Sequence, residues 1–224
     1  MIIACIAWLV KKYILAPGKL NFRKSRIAVF VLLFLLPFYS SAGQQTYRYN
    51  VIYHGRQVGM MYLTHSTVGE DLRLKIVSNI QMRMLMAIRV NVSEESVFRN
   101  NVLAYSSVYQ EVNGKVKVNR QTKLSGSAYQ TNAEGKQSVL SKSSIRNNVA
   151  RLYNEEPVNI AEIYSDNHQQ FLRLKKQGEH SYRLELPDNM YNIYHYENGI
   201  CKTVEIHSRL YTIQMQRESS VKTN

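Results

Sequence analysis

The stretch "YNIYHYENGICKTVEIH", residues 191–207, gathers two histidines, a cysteine, two glutamates and three tyrosines. A cysteine beside a histidine is the composition of an activated nucleophile, provided the two side chains reach hydrogen-bond distance. Geometry argues against it. Asn198-Gly199 is a two-residue hairpin turn, because both residues readily take positive φ. Such a turn pairs Glu197 with Ile200, Tyr196 with Cys201, His195 with Lys202 and Ile193 with Val204, and paired residues share a face. Cys201 then lies with Tyr194, Tyr196 and Thr203, and His195 lies on the other face with Ile193, Val204 and Ile206. His207 shares the face of Cys201, but six residues of strand put it about 20 Å away. Only a bulge that shifts the register would change this sorting. The expected core side is Tyr191, Ile193, Val204 and Ile206, with Tyr194 and Tyr196 as contact surface.

Other chemical patterns are weaker. The six histidines, at 54, 65, 168, 180, 195 and 207, never fall at the close spacing of a locally built metal site, so neither metal nor cofactor is expected. Ser219 and Lys222 fit S-x-x-K, and Ser165-Asp166-Asn167 reads S-D-N. Both belong to the penicillin-binding set, but their order is reversed and K-T-G is missing, so they read as chance matches. Neither a G-x-S-x-G elbow nor a phosphate loop occurs. Glu94, Glu95, Glu156 and Asp188 are the carboxylates available to an enzyme acting on a glycan, which needs two of them facing at about 5–9 Å. Each has a plainer explanation as surface strand, helix start or turn, so no catalytic residue is assigned and an enzyme is the less favoured class.

The elements that would position these residues are strands. Apolar residues recur every second position. "TYRYNVIY" puts Tyr47, Tyr49, Val51 and Tyr53 on one face; residues 58–67 return as its partner, and "LRLKIV" aligns Leu72, Leu74 and Ile76. In "QMRMLMAIRVNV" the row Met82, Met84, Met86, Ile88, Val90 and Val92 keeps an unbroken period of two and predicts one long strand. Its flexible methionines either line a ligand cavity or fill core, the commoner fate. Further alternating segments, among them a hairpin at Asn113-Gly114, bring the expected number of strands to between ten and twelve. Residues 144–165 break the pattern. There Pro157 suits a first helical turn, with Glu155 and Glu156 facing the helix dipole.

The amino-terminal part reads as an address. "KLNFRKSR" supplies four basic residues, "IAVFVLLFLL" is an apolar run, and Ser40 and Ala42 are small residues ahead of a cut before Gly43. This is a secretory signal, too short for a comfortable membrane span. Residues 1–18 read as an over-annotated start. Six of the 29 basic residues fall within residues 1–42, leaving 23 against 16 acids, a charge of +7 scattered along the chain. An exported protein of that kind is not expected to bind nucleic acid, nor to keep a transmembrane anchor after cleavage. Cys201 is then alone and forms no internal disulfide.

The opening "YRYNVIYHGRQVGMMYL", with Gly55 and Gly59, resembles an uncharacterised family of exported bacterial proteins of the Bacteroidetes type, a domain of unknown function. So do "LYNEEP", with Leu152, Tyr153, Glu156 and Pro157, and the closing hairpin with Asn192, Tyr194, Tyr196, Asn198 and Gly199. The resemblance spans most of residues 46–217. It implies a mostly β domain with a short helical insertion, and it brings no activity.

The expected organisation is a leader at 1–42, a single all-β antiparallel domain at 43–217 and a polar tail at 218–224. The domain is a large curved meander sheet or partly closed barrel with one or two short helices. The expected place is outside the cytoplasm, periplasmic or extracellular. Met82, Met84, Met86, Tyr47, Tyr49, Tyr53, Tyr194 and Tyr196 are the candidate contacts for a lipid or other apolar molecule on the inner face. The alternative is a structural module that binds an envelope protein partner.

Overall fold

A computed structural model describes residues 43–83 and 87–218. The leader, Met84, Met86, Ser219 and Lys222 lie outside the described residues.

Eight strands form the first meander: β1 (Gly43–Tyr53), β2 (Arg56–Val68), β3 (Asp71–Arg83), β4 (Ala87–Arg99), β5 (Val102–Val112), β6 (Lys115–Ser125), β7 (Ala128–Ala133) and β8 (Lys136–Leu140). A segment carrying the short helix α1 (Val149–Leu152) follows. A second meander comprises β9 (Glu162–Ser165), β10 (Gln170–Gly178), β11 (Ser181–Glu185), β12 (Tyr191–Glu197), β13 (Ile200–His207) and β14 (Thr212–Arg217). All belong to one antiparallel sheet, ordered β8 to β1, then β14 down to β9. The first and last strands therefore meet in its middle, and β8 and β9 are its edges.

The sheet is curved and does not close. Its β9 end folds back over the inner face of β4 to β7, where the inward positions are unusually polar. Ser96, Ser106, Thr122 and Thr131 are cross-strand neighbours in a single row and all are buried. Small hydroxyls let the returning chain approach closely and then hold it. Thr122 Oγ1 lies 2.9 Å from the Tyr164 hydroxyl on β9, and Asn148 Nδ2 donates to Ser96 Oγ at 2.7 Å. Gln169 Nε2 donates to the carbonyl of Gln121 at 2.8 Å. A buried polar seam is tolerable because most of its members are paired.

The segment between the meanders is pinned by tyrosines. Tyr196 Oη donates to the Leu152 carbonyl at 2.6 Å, and Tyr49 Oη to the Tyr153 carbonyl at 3.4 Å. The ring of Tyr153 meets Tyr49 and Tyr194 edge-on, with centroids 5.8 and 5.6 Å apart, the geometry the ring quadrupoles favour.

The fourteen strands of the described residues exceed the ten to twelve expected from the sequence, and three further expectations are corrected. First, residues 82–92 are not one strand: Met82 on β3 pairs with Ile88 on β4, so the chain reverses between them. Paired residues in this hairpin are both even or both odd, so the period of two continues through the turn without a break in phase.

Second, the Asn198-Gly199 turn forms, with φ of 53° and 73°, and Tyr196 pairs with Cys201. A bulge then leaves Lys202 unpaired, so His195 faces Thr203 and Tyr194 faces Val204. Tyr194, Tyr196, Cys201 and Val204 are buried, and Tyr191 and Ile193 lie only partly so. Tyr194 and Tyr196 are thus core, not contact surface. Third, Pro157 does not open a helix: α1 ends before it, and its cap is Asn148, which accepts from the Arg151 N–H. The Glu156 carboxylate instead accepts from Tyr182 Oη at 2.8 Å.

Candidate functional site

Four inward positions of β4 are filled by Val90, Val92, Glu94 and Ser96, which alternate with outward residues. Glu95, the outward neighbour, reaches Arg73 at 3.4 Å. Glu94 therefore follows two valines on the inward face, where the apolar run gives way to polar residues. It lines a cavity of about 270 Å³ between the two halves of the curved sheet. One wall comes from β2 to β5, with Met61, Ile80, Met82 and Val92; the other comes from β11 to β14, with Leu184, Ile206, Ile213 and Met215. The turn after β9 supplies Asp166, Asn167 and His168.

Asp166 is 6% exposed. Its Oδ2 accepts from Asn148 Nδ2 at 2.8 Å, so the residue that caps α1 also orients this carboxyl. The Ser106 hydroxyl lies beside Asp166 and favours its ionised form, yet Ser106 Oγ and Asp166 Oδ1 complete no hydrogen bond. Burial pushes the Asp166 carboxyl up to about 6. Burial, and then the Asp166 charge, pushes Glu94 up to about 7. Two carboxyls in one apolar enclosure resist ionising together.

Further polar atoms on the cavity wall are orphaned. Ser78 Oγ, Asn167 Oδ1 and Asn192 Oδ1, like Asp166 Oδ1, are buried without a hydrogen-bond partner. Each such atom costs stability unless something else pairs with it. Burial and then Arg120 hold His168 below the usual imidazole range, and its Nδ1 is 2.9 Å from Ser165 Oγ.

Of the residues singled out from the sequence, Met82 lines this cavity, whereas Tyr49, Tyr194 and Tyr196 are buried in the surrounding core. Tyr47 is half-buried under the Arg217 guanidinium, 3.7 Å from its ring centre, and Tyr53 packs edge-on against His54. The carboxylates Glu94, Glu95, Glu156 and Asp188 are not brought together: Glu95 is on the outer face of the sheet, Glu156 binds Tyr182, and Asp188 sits in a turn 3.8 Å from Arg209. The acid that joins Glu94 is Asp166, from the S-D-N triplet set aside as a chance match. No spacing announces it, because its partner is 72 residues earlier in the chain.

Cys201 is fully buried, and burial pushes its thiol up to about 12, far from the pKa of a nucleophile. On the opposite face, Ser181 Oγ, His195 and Glu205 form a row at 2.8 and 3.4 Å. It resembles a hydrolase triad, but β11 lies between β10 and β12, so its backbone N–H groups are directed along the sheet into the ladders and none faces a reacting oxyanion. Among the described residues no group of three or more His, Cys, Asp or Glu is arranged to hold a metal ion.

Comparison with curated proteins returns no match. A crystal structure of a beta-barrel-like protein of a domain of unknown function, DUF1849, from Brucella abortus, is similar with 8% identity and a TM-score of 0.49, over 80% of this chain and 96% of that one. The family described as domain of unknown function DUF6134 matches residues 49–218. The chain belongs to the DUF6134 family.

Proposed function

We propose that this protein is an exported, non-catalytic binding protein that holds a small amphipathic molecule in the cavity between the two halves of its sheet. One observation carries the reading: a single cavity combines an aliphatic and methionine-rich wall with four orphaned buried polar atoms. Ligand sites are of this kind, mostly apolar with a few convergent polar groups, and flexible methionines adapt to chains of varied shape. The volume, about 270 Å³, is near the low end for such sites and suits a short chain better than a glycan. Export is supported by the basic, apolar and small-residue segments of residues 19–42.

The test is calorimetric titration with 1-octanol. The folded protein is expected to bind it, and Val92→Phe, which puts a ring into the cavity, is expected to weaken that binding with the circular dichroism spectrum unchanged. Absence of octanol binding by folded protein, together with no small molecule in an organic extract of protein purified from cells, would overturn the reading.

A further inference from the structure

The polar lining of the cavity has a consistent chemical sense. Asn167 Oδ1 and Asn192 Oδ1 are acceptors without a donor, Asp166 Oδ1 has only the Ser106 hydroxyl beside it, and Glu94 adds a second carboxyl to the cavity lining. Among the described residues, no Lys or Arg lines the cavity. The one basic group there among the described residues, His168, already has Nδ1 engaged with Ser165. Two carboxyls without a counter-cation are an incomplete arrangement, since burying such charges unpaired is costly.

We propose that the ligand is an aliphatic amine whose ammonium group is received between Glu94 and Asp166 while its chain lies along the methionine wall. This rests on the binding reading above. An ammonium supplies N–H donors and no acceptor, the complement of this wall. It also neutralises the pair, and a charge-assisted hydrogen bond is stronger than a neutral one. A fatty carboxylate would bring a further acid group to the same place. A neutral alcohol would satisfy one acceptor and leave the carboxyls without a counter-charge.

The experiment compares octylamine, 1-octanol and octanoate by calorimetry on the full chain near neutral pH. Octylamine is expected to bind more tightly than octanol by about tenfold or more, the worth of one hydrogen bond to a charged group, and octanoate not detectably. Glu94→Gln and Asp166→Asn are each expected to remove most of the amine's advantage over octanol. Glu95→Gln, on the outer face, should change none of the three. Octanol or octanoate binding as tightly as octylamine would overturn the head-group assignment and leave the binding reading standing. So would undiminished amine binding by both cavity variants. Failure of all three probes to bind folded protein would overturn both readings. The comparison among probes needs only the unaltered chain, so a variant that does not fold cannot shield the proposal.

Discussion

The cavity acids set the protein's response to pH. Burial raises Asp166 from 3.8 to about 6 and Glu94 from 4.5 to about 7. A carboxyl with a raised folded pKa binds its proton more tightly in the native state, so its contribution is present below the unfolded pKa and is lost as pH rises through the folded one. Together the two are worth on the order of a few kcal/mol. His168 acts in the opposite sense: it is held below 6.5, prefers the neutral form in the folded state, and adds stability as pH rises through its own window. The charged neighbour of that imidazole is Arg120, and Tyr153 and Tyr194 face Glu94. The melting temperature of the ligand-free protein should therefore fall as pH rises from about 4 to about 7, and the Glu94→Gln, Asp166→Asn double variant should lose that fall and keep the rise from His168. Melting curves at several pH values decide it, and an unchanged profile in the variant would count against the buried-acid account. Glu94 was legible in principle. Its parity matches Val90, Val92 and Ser96, so a strand drawn with strict alternation already places a carboxyl in the core. Asp166 was not, because it becomes a neighbour of Glu94 only when the β9 end folds back.

At the scale of elements, the two glycines of the opening hairpin do different work. His54 and Gly55 take φ of 49° and 72°, and the turn itself needs a residue tolerant of that region. Gly59 has no such demand. A Cβ there would stand 2.2 Å from the Asn79 carbonyl oxygen and 2.8 Å from Ile80 Cα, so its absence is what lets β2 lie close to β3 beside the bulge opposite Val51 and Ile52. Gly59→Ala must push two backbones apart, a strain of about 1–3 kcal/mol. Because Met61 and Ile80 sit on those strands and line the cavity, octanol binding should weaken along with the urea midpoint. A variant as stable as the parent would show that β2 and β3 can separate freely. The pattern of two revealed most strands, yet two features stayed hidden for physical reasons. A hairpin that preserves parity leaves no mark in alternation, which merged β3 and β4. The bulge at Lys202 adds one residue opposite none, and that single step moved Val204 across the sheet and turned Tyr194 and Tyr196 into core.

For the whole molecule, the order of strands matters more than their number. Each meander pairs neighbours in sequence, so both are built from local contacts, whereas β1 and β14 must meet across most of the domain. Closing so long a loop is a late and entropically costly step. No feature of the sequence announces it, because alternation assigns a residue to a face and says nothing of which strand lies beside it. Chain termini are ordinarily the safest parts to trim. Here β14 is the seam: Val51 pairs with Met215, Val204 pairs with Met215 from the other side, and Ile213 and Met215 are buried. Beyond the strand, Arg48 holds Glu218 at 2.8 Å. Removing residues 212–218 should therefore split the sheet at its centre, expose the facing edges of β1 and β13, and open one wall of the cavity. The truncated chain is expected to lose its cooperative urea transition and octanol binding. A synthetic peptide of residues 212–218, added as a strand between the two exposed edges, is expected to restore part of both, since main-chain pairing can be supplied by a separate segment. A truncated protein that unfolds at the parent's midpoint would mean that each meander holds its shape alone and that the β1–β14 ladder contributes nothing to their union.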